Sequence, residues 1–509
     1  MSHSLQISLI NRRKYFGEVF TPLNIVNAML DLVGDECKRV ESCFLEPACG
    51  KGIFLVEILR RKLKTLTQEY KDNPKKYEEF LIVAIASIYG VDILTDNVFD
   101  SRNAMLDLLT TQYQTVFNNS LCDKIVRKIS EILENNIIKG DFLKLSAPLL
   151  SNENNIFFKR QFDVVIGNPP YQLNLGNDGG NKSKAKAIYH LFVSQAKYLN
   201  PKYLTMIIPS RWMTRTSEGI PQVWIDNMLN DSKIAELHDF ENPLDCFPKE
   251  TTLKGGVIYF LWRRDYQGKC AYYFHQKGKE VPLYRKGYLK PKFANIVIRN
   301  PMDNFIIQKI VSKEGVYYST DNFSTLVSPK DFFTNKKLLT SSWDEYLLEK
   351  TNSHYIKCYI NKMNHNASYG WVSEEQIPLK NNNFKTIPLH KVFIPAAGGS
   401  GLDSQVIGTP FYGEPNSVCS QTYLVIGYDP VKHNFTQKQC ENIISYIKTR
   451  FFRYLVRIKK KTQNGPRGVY QFVPLQDFNE PWNDEKLYKK YELSDDEIQF
   501  IESMIKPME

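Results

Sequence analysis

What most constrains this chain is an alternation of short apolar runs and helical patterns between about Tyr15 and Arg264. The runs Ser42–Glu46, Ile88–Asp92, Phe162–Gly167, Tyr203–Pro209 and Gly256–Trp262 have the length and composition of buried strands. Ile53–Lys64 and Ala187–Leu199 repeat apolar residues at helical spacing. Such alternation predicts an α/β fold, a doubly wound and mostly parallel mixed sheet with helices on both faces. Sheets of this kind bind ligands beyond the carboxyl ends of their strands, so residues just after each run are the first site candidates.

From Asp265 the rhythm is lost. The sequence becomes mixed and rich in aromatics and lysine, and Asn434–Glu509 carries helical patterns with the most basic stretch of the chain. The expected boundary lies near Asp265–Gly268, separating residues 1–264 from an α+β region, residues 265–509. A length of 509 residues accommodates two or three domains. No apolar run is long enough to span a bilayer, and Met1–Lys14 lacks the apolar centre of a secretion signal, so a cytoplasmic protein without a membrane partner is expected. The 9 cysteines include no Cys-x-x-Cys pair, and Cys37, Cys43 and Cys49 match no zinc spacing, so reduced thiols and no metal are expected. A net charge of +11 favours a polyanionic partner, with an ordinary basic protein as the plain alternative.

Chemistry concentrates in Phe162–Tyr171, FDVVIGNPPY. An apolar strand ends at Gly167, and the consecutive prolines Pro169 and Pro170 stop it and stiffen the loop. The Asn168 side chain and the Pro169 carbonyl can then present two fixed acceptors, with Tyr171 as a flat stacking surface. Two acceptors beside an aromatic platform suit a heterocycle bearing an amino group. That amine is a poor nucleophile, because its lone pair is delocalised into the ring. Acceptors on its hydrogens favour a tetrahedral nitrogen and free the lone pair. A Pro-rich turn with no chemical role is the plain alternative.

Cys43–Phe54, CFLEPACGKGIF, reads as strand, Gly-containing turn and helix start. Gly50 and Gly52 allow close backbone approach to a ligand, and the helix N-terminus suits a carboxylate or polar head. Asp92 closes the strand in YGVDI, where an acid can take both hydroxyls of a ribose. Asp141, in KGDFL, follows another possible strand and can accept from an adenine amine. Singly, each acid also fits a helix-cap or turn role.

Taken together, these motifs resemble those of the gamma class of adenine-N6 DNA methyltransferases from restriction-modification systems. Phe16–Pro22, FGEVFTP, looks like the family's opening motif, Glu46–Gly52 like its cofactor loop, and Asn168–Tyr171 like its catalytic motif, in the family's order. The resemblance implies a Rossmann-like methyltransferase domain followed by a target-recognition domain. It implies S-adenosylmethionine as cofactor and S-adenosylhomocysteine as product, with no metal needed. Phe20, Thr21, Pro22, Glu46, Pro47, Ala48, Gly50 and Gly52 would hold the methionine part. Asp92 with Ile93 would take the ribose, and Asp141 with Phe142 the adenine, while Asn168 would touch cofactor as well as substrate. Asn168, Pro169, Pro170 and Tyr171 would be catalytic. Tyr171 and Phe247, the latter in a stretch resembling the base-holding motif, would grip an adenine rotated out of duplex DNA.

Cations interleave with aromatics in Lys448–Arg467. A helix there can bury its rings and turn Arg450, Arg453, Arg457, Lys460 and Arg467 toward phosphates; Lys182 and Arg211 are candidates nearer the catalytic motif. A solvated helix face is the competing reading. The expected partner is double-stranded DNA, with a separate restriction nuclease compatible with the chain. The alternatives are a methyltransferase acting on protein glutamine or on RNA, and a non-catalytic DNA specificity subunit. FGEVFTP and the basic C-terminal region weigh against the first, and the intact NPPY against the second.

Overall fold

The computed structural model describes residues 19–145, 161–173, 186–248, 255–315, 321–335, 337–360, 369–380, 383–398, 404–460 and 463–508. The chain divides into two compact units. One runs to Pro291 and takes in Asn295–Pro301; the other comprises Lys292–Ala294 and everything from Met302.

The first unit is built on one nine-stranded sheet. Its strands are β1 (Phe44–Glu46), β2 (Ile88–Asp92), β3 (Ile137–Lys139), β4 (Val164–Gly167), β5 (Tyr203–Pro209), β6 (Ile234–Phe240), β7 (Val257–Arg263), β8 (Cys270–His275) and β9 (Leu283–Gly287). The spatial order is β9-β8-β6-β7-β5-β4-β1-β2-β3. Strands β3, β2, β1, β4 and β5 are mutually parallel. β7 inserts antiparallel between β5 and β6, β8 lies parallel to β6, and β9 closes the edge antiparallel. The chain passes outward from β1 to β2 and β3, then returns to place β4 on the other side of β1. That reversal opens a crevice at the carboxyl ends of β1 and β4, where a doubly wound sheet holds its ligand.

The five runs read as strands all appear, with ends shifted by at most two residues. β2 and β1 are buried along their whole length, as expected of parallel strands covered on both faces. The helix expected from Ile53 runs on to Tyr70 and is labelled α1. It buries Phe54, Leu55, Ile58, Leu59, Leu63 and Leu66, an apolar stripe at helical spacing. In α2 (Pro74–Ala86), Asn73 accepts from the Lys76 amide and Pro74 sits in the first turn, two start signals together. The α1 stripe also contains Lys62, which is fully buried. Its ammonium donates to the Val40 carbonyl (2.8 Å) and Ser42 carbonyl (2.6 Å), fixing the chain where it enters β1.

The expected boundary at residues 265–268 falls inside this unit. β8 and β9 lie beyond it and are hydrogen-bonded onto β6 and onto each other, so the unit reaches Pro291. The second unit holds two three-stranded sheets. One consists of Tyr355–Tyr359, Tyr369–Ser373 and Ser417–Cys419, the other of Lys391–Pro395, Phe411–Gly413 and Tyr423–Ile426. Its helices include Pro301–Glu314, Gln437–Lys448, Arg450–Lys459, Asp484–Lys490 and Asp495–Met504. No helix among the described residues is long and apolar enough to cross a membrane.

Candidate active site

One cavity opens at the crevice. It is lined by Val19, Phe20 and Thr21, by Glu46–Lys51, by Asp92, Ile93, Leu94 and Asn97, by Gly140–Leu143, and by Asn168 and Pro170. The ends of β1, β2, β3 and β4 thus each contribute to one space. Pro22 lies just outside it as the cap of the helix Leu23–Asp31, and Phe16–Glu18 fall outside the described residues.

The loop after β1 is held from several sides. The Gly50 amide donates to Asp92 Oδ2 at 2.8 Å, and its carbonyl accepts from Ser101 Oγ at 2.9 Å. Gly52 has a φ of 80°, and a Cβ there would lie 2.8 Å from Ser101 Oγ, so both backbone and packing require glycine. Asp92 Oδ1 also accepts from the Leu94 amide at 2.9 Å and from Asn97 Nδ2 at 3.2 Å. The carboxylate is thereby oriented before any ligand arrives. Asp141 accepts from the Leu143 amide at 3.1 Å and lies 3.5 Å from the Lys144 ammonium. Ile93 and Phe20, about half exposed, give the mouth an apolar lip. Asn97 carries no signal of its own in the sequence, because a first-turn asparagine ordinarily serves its own helix.

Two groups at the floor of the cavity are unmatched. Glu46 is buried and its Oε2 has no hydrogen-bond partner among the described residues. Burial pushes its carboxyl well above the usual carboxylate range; Asp92 adds to this and the Leu55 amide opposes it. Asn168 Nδ2 donates to the Val19 carbonyl (3.2 Å) and to Thr21 Oγ1 (3.1 Å). A carbonyl can only accept, so this contact fixes which end of the amide is nitrogen. Asn168 Oδ1 is left as a buried acceptor with no partner among the described residues.

The unmatched Glu46 gives a stability prediction. Ionising it costs the folded chain free energy that the unfolded chain does not bear. That cost is absent below the ordinary glutamate pKa and grows as pH rises above it. Glu46→Gln is therefore expected to stabilise the ligand-free protein at neutral pH, by on the order of 1 kcal/mol, and to weaken binding of a cationic ligand. The gain should shrink as pH falls toward 4.5. Thermal unfolding across that range checks it, and a gain independent of pH would contradict this account.

Tyr171 is 8% exposed, and its ring meets Tyr189 edge-on with centroids 6.4 Å apart. Burial pushes its phenol well above the ordinary range, and Cys246 lies near enough to add to the shift. Phe247, next to Cys246, is buried, and its amide donates to the Pro243 carbonyl at 2.8 Å. The segment proposed to hold a base therefore packs beside Tyr171. Neither ring lines the cavity. Pro169 is buried, while Pro170 reaches the cavity wall.

The basic candidates fare differently. Arg453 is completely buried, with Nε bonded to the Thr449 carbonyl at 3.2 Å. Lys460 is buried and donates to the Gly398 carbonyl at 2.8 Å. Neither side chain faces outward, which corrects their expected role on phosphates. Seven of the ten residues of Arg450–Lys459 are buried, because the helix is enclosed on more than one side. Arg450 is ion-paired with Glu502 at 2.6 Å, and Arg467 donates to the Ser324 carbonyl at 2.8 Å. Arg457 is half-buried, and Arg211 is exposed. Lys182 lies outside the described residues. Among the described residues no group of three or more His, Cys, Asp or Glu is arranged to hold a metal ion.

The cavity suits a ligand with a positive centre. Three carboxylates line it, one of them buried with an unmatched oxygen, and a Cβ at Gly50 would meet nothing within 4 Å. The chain is similar to several known proteins. A family model of the Eco57I restriction-modification methylases matches residues 86–247. An uncharacterized adenine-specific methylase of Mycoplasma pneumoniae is 31% identical over 313 residues, covering 52% of this chain and 72% of that protein. The type II methyltransferase M.VspI of a Vibrio species is 23% identical over 239 residues, covering 45% of this chain and 44% of that enzyme. Among solved structures, the type IIL restriction-modification enzyme MmeI in complex with DNA is 12% identical with a TM-score of 0.43, covering 92% of this chain and 66% of that one.

Proposed function

The chain belongs to the Eco57I restriction-modification methylase family, and from that premise we propose that it methylates the N6 amine of adenine in duplex DNA, as the modification enzyme of a restriction-modification system. The observation that carries this reading is Asn168: its nitrogen is committed to Val19 and Thr21, and its oxygen is a buried acceptor awaiting a donor. An exocyclic amine is such a donor.

The cavity residues fit S-adenosylmethionine, which when bound supplies an electrophilic methyl group on a sulfonium centre. Phe20, Thr21 and Pro22 with Glu46, Pro47, Ala48, Gly50 and Gly52 would hold its methionine part. Asp92 with Ile93 would hold the ribose, and Asp141 with Phe142 the adenine. Glu46, unmatched in the folded chain, gains a cationic neighbour. Asn168 Oδ1 and the Pro169 carbonyl accept the hydrogens of the target amine and turn its lone pair toward the methyl group. The acceptors are pre-placed, so they need no reorganisation during transfer. Proximity then supplies much of the rate. A stacked adenine cannot reach this crevice, so the base rotates out of the duplex; Tyr171 and Phe247, buried and outside the cavity lining, would have to turn toward it to hold the base. The second unit is the target-recognition region in this reading.

Transfer of labelled methyl from S-adenosylmethionine to unmethylated duplex DNA, with hydrolysis of the product, tests this proposal. N6-methyladenine is the expected product. Label entering protein or RNA, with none in DNA, would overturn it in favour of the amide or RNA alternative.

A further inference from the structure

An asparagine amide is poorly aimed by its own torsions, because rotation about Cβ–Cγ has broad, nearly two-fold minima. Its direction is set by what bonds to it. The Nδ2 group of Asn168 carries two hydrogens and meets two acceptors, the Val19 carbonyl at 3.2 Å and Thr21 Oγ1 at 3.1 Å. Oδ1 is buried and has no partner among the described residues.

The two acceptors decide different things. A carbonyl can only accept, so Val19 selects which end of the amide faces the segment. A hydroxyl donates or accepts, so Thr21 does not make that choice. What Thr21 adds is a second fixed point. One bond leaves the amide free to swing about its acceptor, whereas two bonds fix its plane, and with it the direction of Oδ1.

Thr21 is stiffly mounted for this. It precedes Pro22, which disfavours helical conformations and biases it toward extended ones. The Pro22 carbonyl accepts from the Ile25 and Val26 amides, each at 3.0 Å, at the start of the helix Leu23–Asp31. That helix buries Ile25, Val26, Met29 and Leu30 in the core of the first unit. Thr21 is itself 4% exposed, while its neighbour Phe20 is 53% exposed at the cavity mouth. The motif FGEVFTP gives no hint of this contact, because its partner lies 147 positions along the chain. A wall of the cavity, the role the sequence suggests for Thr21, has no need of a bond to Asn168.

We propose that Thr21 is a positioning residue for methyl transfer: its hydroxyl, together with the Val19 carbonyl, holds the Asn168 amide so that Oδ1 stays aimed at the target amine. The proposal rests on the methyltransferase reading above and adds to it a role for Thr21 separate from holding the methionine part of the cofactor.

The test is a double-mutant cycle on the full chain. The parent, Thr21→Val, Thr21→Ser, Asn168→Ala and the double variant Thr21→Val with Asn168→Ala are compared in single-turnover transfer of labelled methyl to duplex DNA, with S-adenosylmethionine and duplex saturating. S-adenosylhomocysteine binding by calorimetry is measured on each and establishes that each is folded. Thr21→Val should lower the single-turnover rate about tenfold. Thr21→Ser, which keeps the hydroxyl, should return it to within about threefold of the parent. In the Asn168→Ala background Thr21→Val should cost less than about twofold, since no amide is left to aim. An equal loss in both backgrounds, or a loss confined to S-adenosylhomocysteine affinity and absent at saturation, would overturn the proposal. A parent that methylates adenine while Thr21→Val keeps its full rate overturns this proposal alone. A parent that binds S-adenosylhomocysteine and transfers methyl to no substrate overturns the enzyme reading and the proposal with it.

Discussion

Asn168→Ala is expected to lower methyl transfer to DNA by about a hundred- to a thousandfold, the usual effect of deleting one pre-placed polar group at a reacting centre. The substitution removes the unmatched Oδ1 and also the two donations from Nδ2 to the Val19 carbonyl and Thr21 Oγ1. The second loss loosens the segment that forms one wall of the cavity. Asn168→Asp separates the two effects. It keeps an acceptor toward the amine but turns a carboxylate oxygen toward the Val19 carbonyl, where two acceptors repel. We expect Asp at this position to restore little activity. Single-turnover transfer, measured beside S-adenosylhomocysteine binding, checks this. Asn168→Ala with near-parental turnover would remove the amine-polarising role. A loss seen entirely in cofactor affinity would reduce Asn168 to a wall of the cavity.

The half of the fold that positions this site was readable because it is local. Ile88–Asp92 and Tyr203–Pro209 are uninterrupted buried strands, and their ends coincide with the observed ones. Asp92, which closes β2, and Asn168, which follows β4, face one cavity because parallel strands deliver their carboxyl ends to one rim. The edge strands were less readable. β6 reads Ile-Ala-Glu-Leu-His-Asp-Phe, and its Asp239 looks like a loop residue until Arg299 arrives from sixty positions away. β8 alternates buried Cys270, Tyr272 and Phe274 with half-buried Ala271, Tyr273 and His275, and β9 carries Arg285 and Lys286 in a five-residue strand; neither has the continuous apolar run of the central strands, so the expected boundary fell too early.

The basic helix misled for a related reason. Arg450–Lys459 has an amphipathic spacing that turns Arg453 outward if only one face is covered. In the second unit Thr449, Asp484 and Tyr488 close around that side, and burial lowers the Arg453 guanidinium to about 10. Enclosure by Asp484 and Tyr488, more than thirty positions away, leaves no trace in helical periodicity. The loop Asn168–Tyr171, by contrast, announces itself through proline, whose backbone restriction is independent of its surroundings.

Asp239→Ala should be the most destabilising single change in the first unit outside its apolar core, by about 3–5 kcal/mol. Asp239 is completely buried on β6. Arg299 donates to it twice, from Nη2 to Oδ1 at 2.6 Å and from Nε to Oδ2 at 2.7 Å, and the Tyr272 hydroxyl donates to Oδ2 as well. The same guanidinium binds the Gly255 carbonyl at 3.0 Å and the Phe240 carbonyl at 3.3 Å, tying β6 to the loop that enters β7. Removing the carboxylate strands a cation against a hydroxyl in the sheet's interior. The pair as a whole is a different matter, since two charges withdrawn from water are costly even when well matched. Asp239→Leu combined with Arg299→Met should therefore recover much of the lost stability. It should not recover the position of Gly255 and Gly256, where a Cβ on Gly256 would lie 2.4 Å from the Phe240 carbonyl and Arg211 packs against Gly255. Urea unfolding of the two variants separates stability from geometry, and DNA binding reads the rim. An Asp239→Ala midpoint equal to the parent's would mean that water already serves Arg299, and the network would then shape the rim without stabilising the fold.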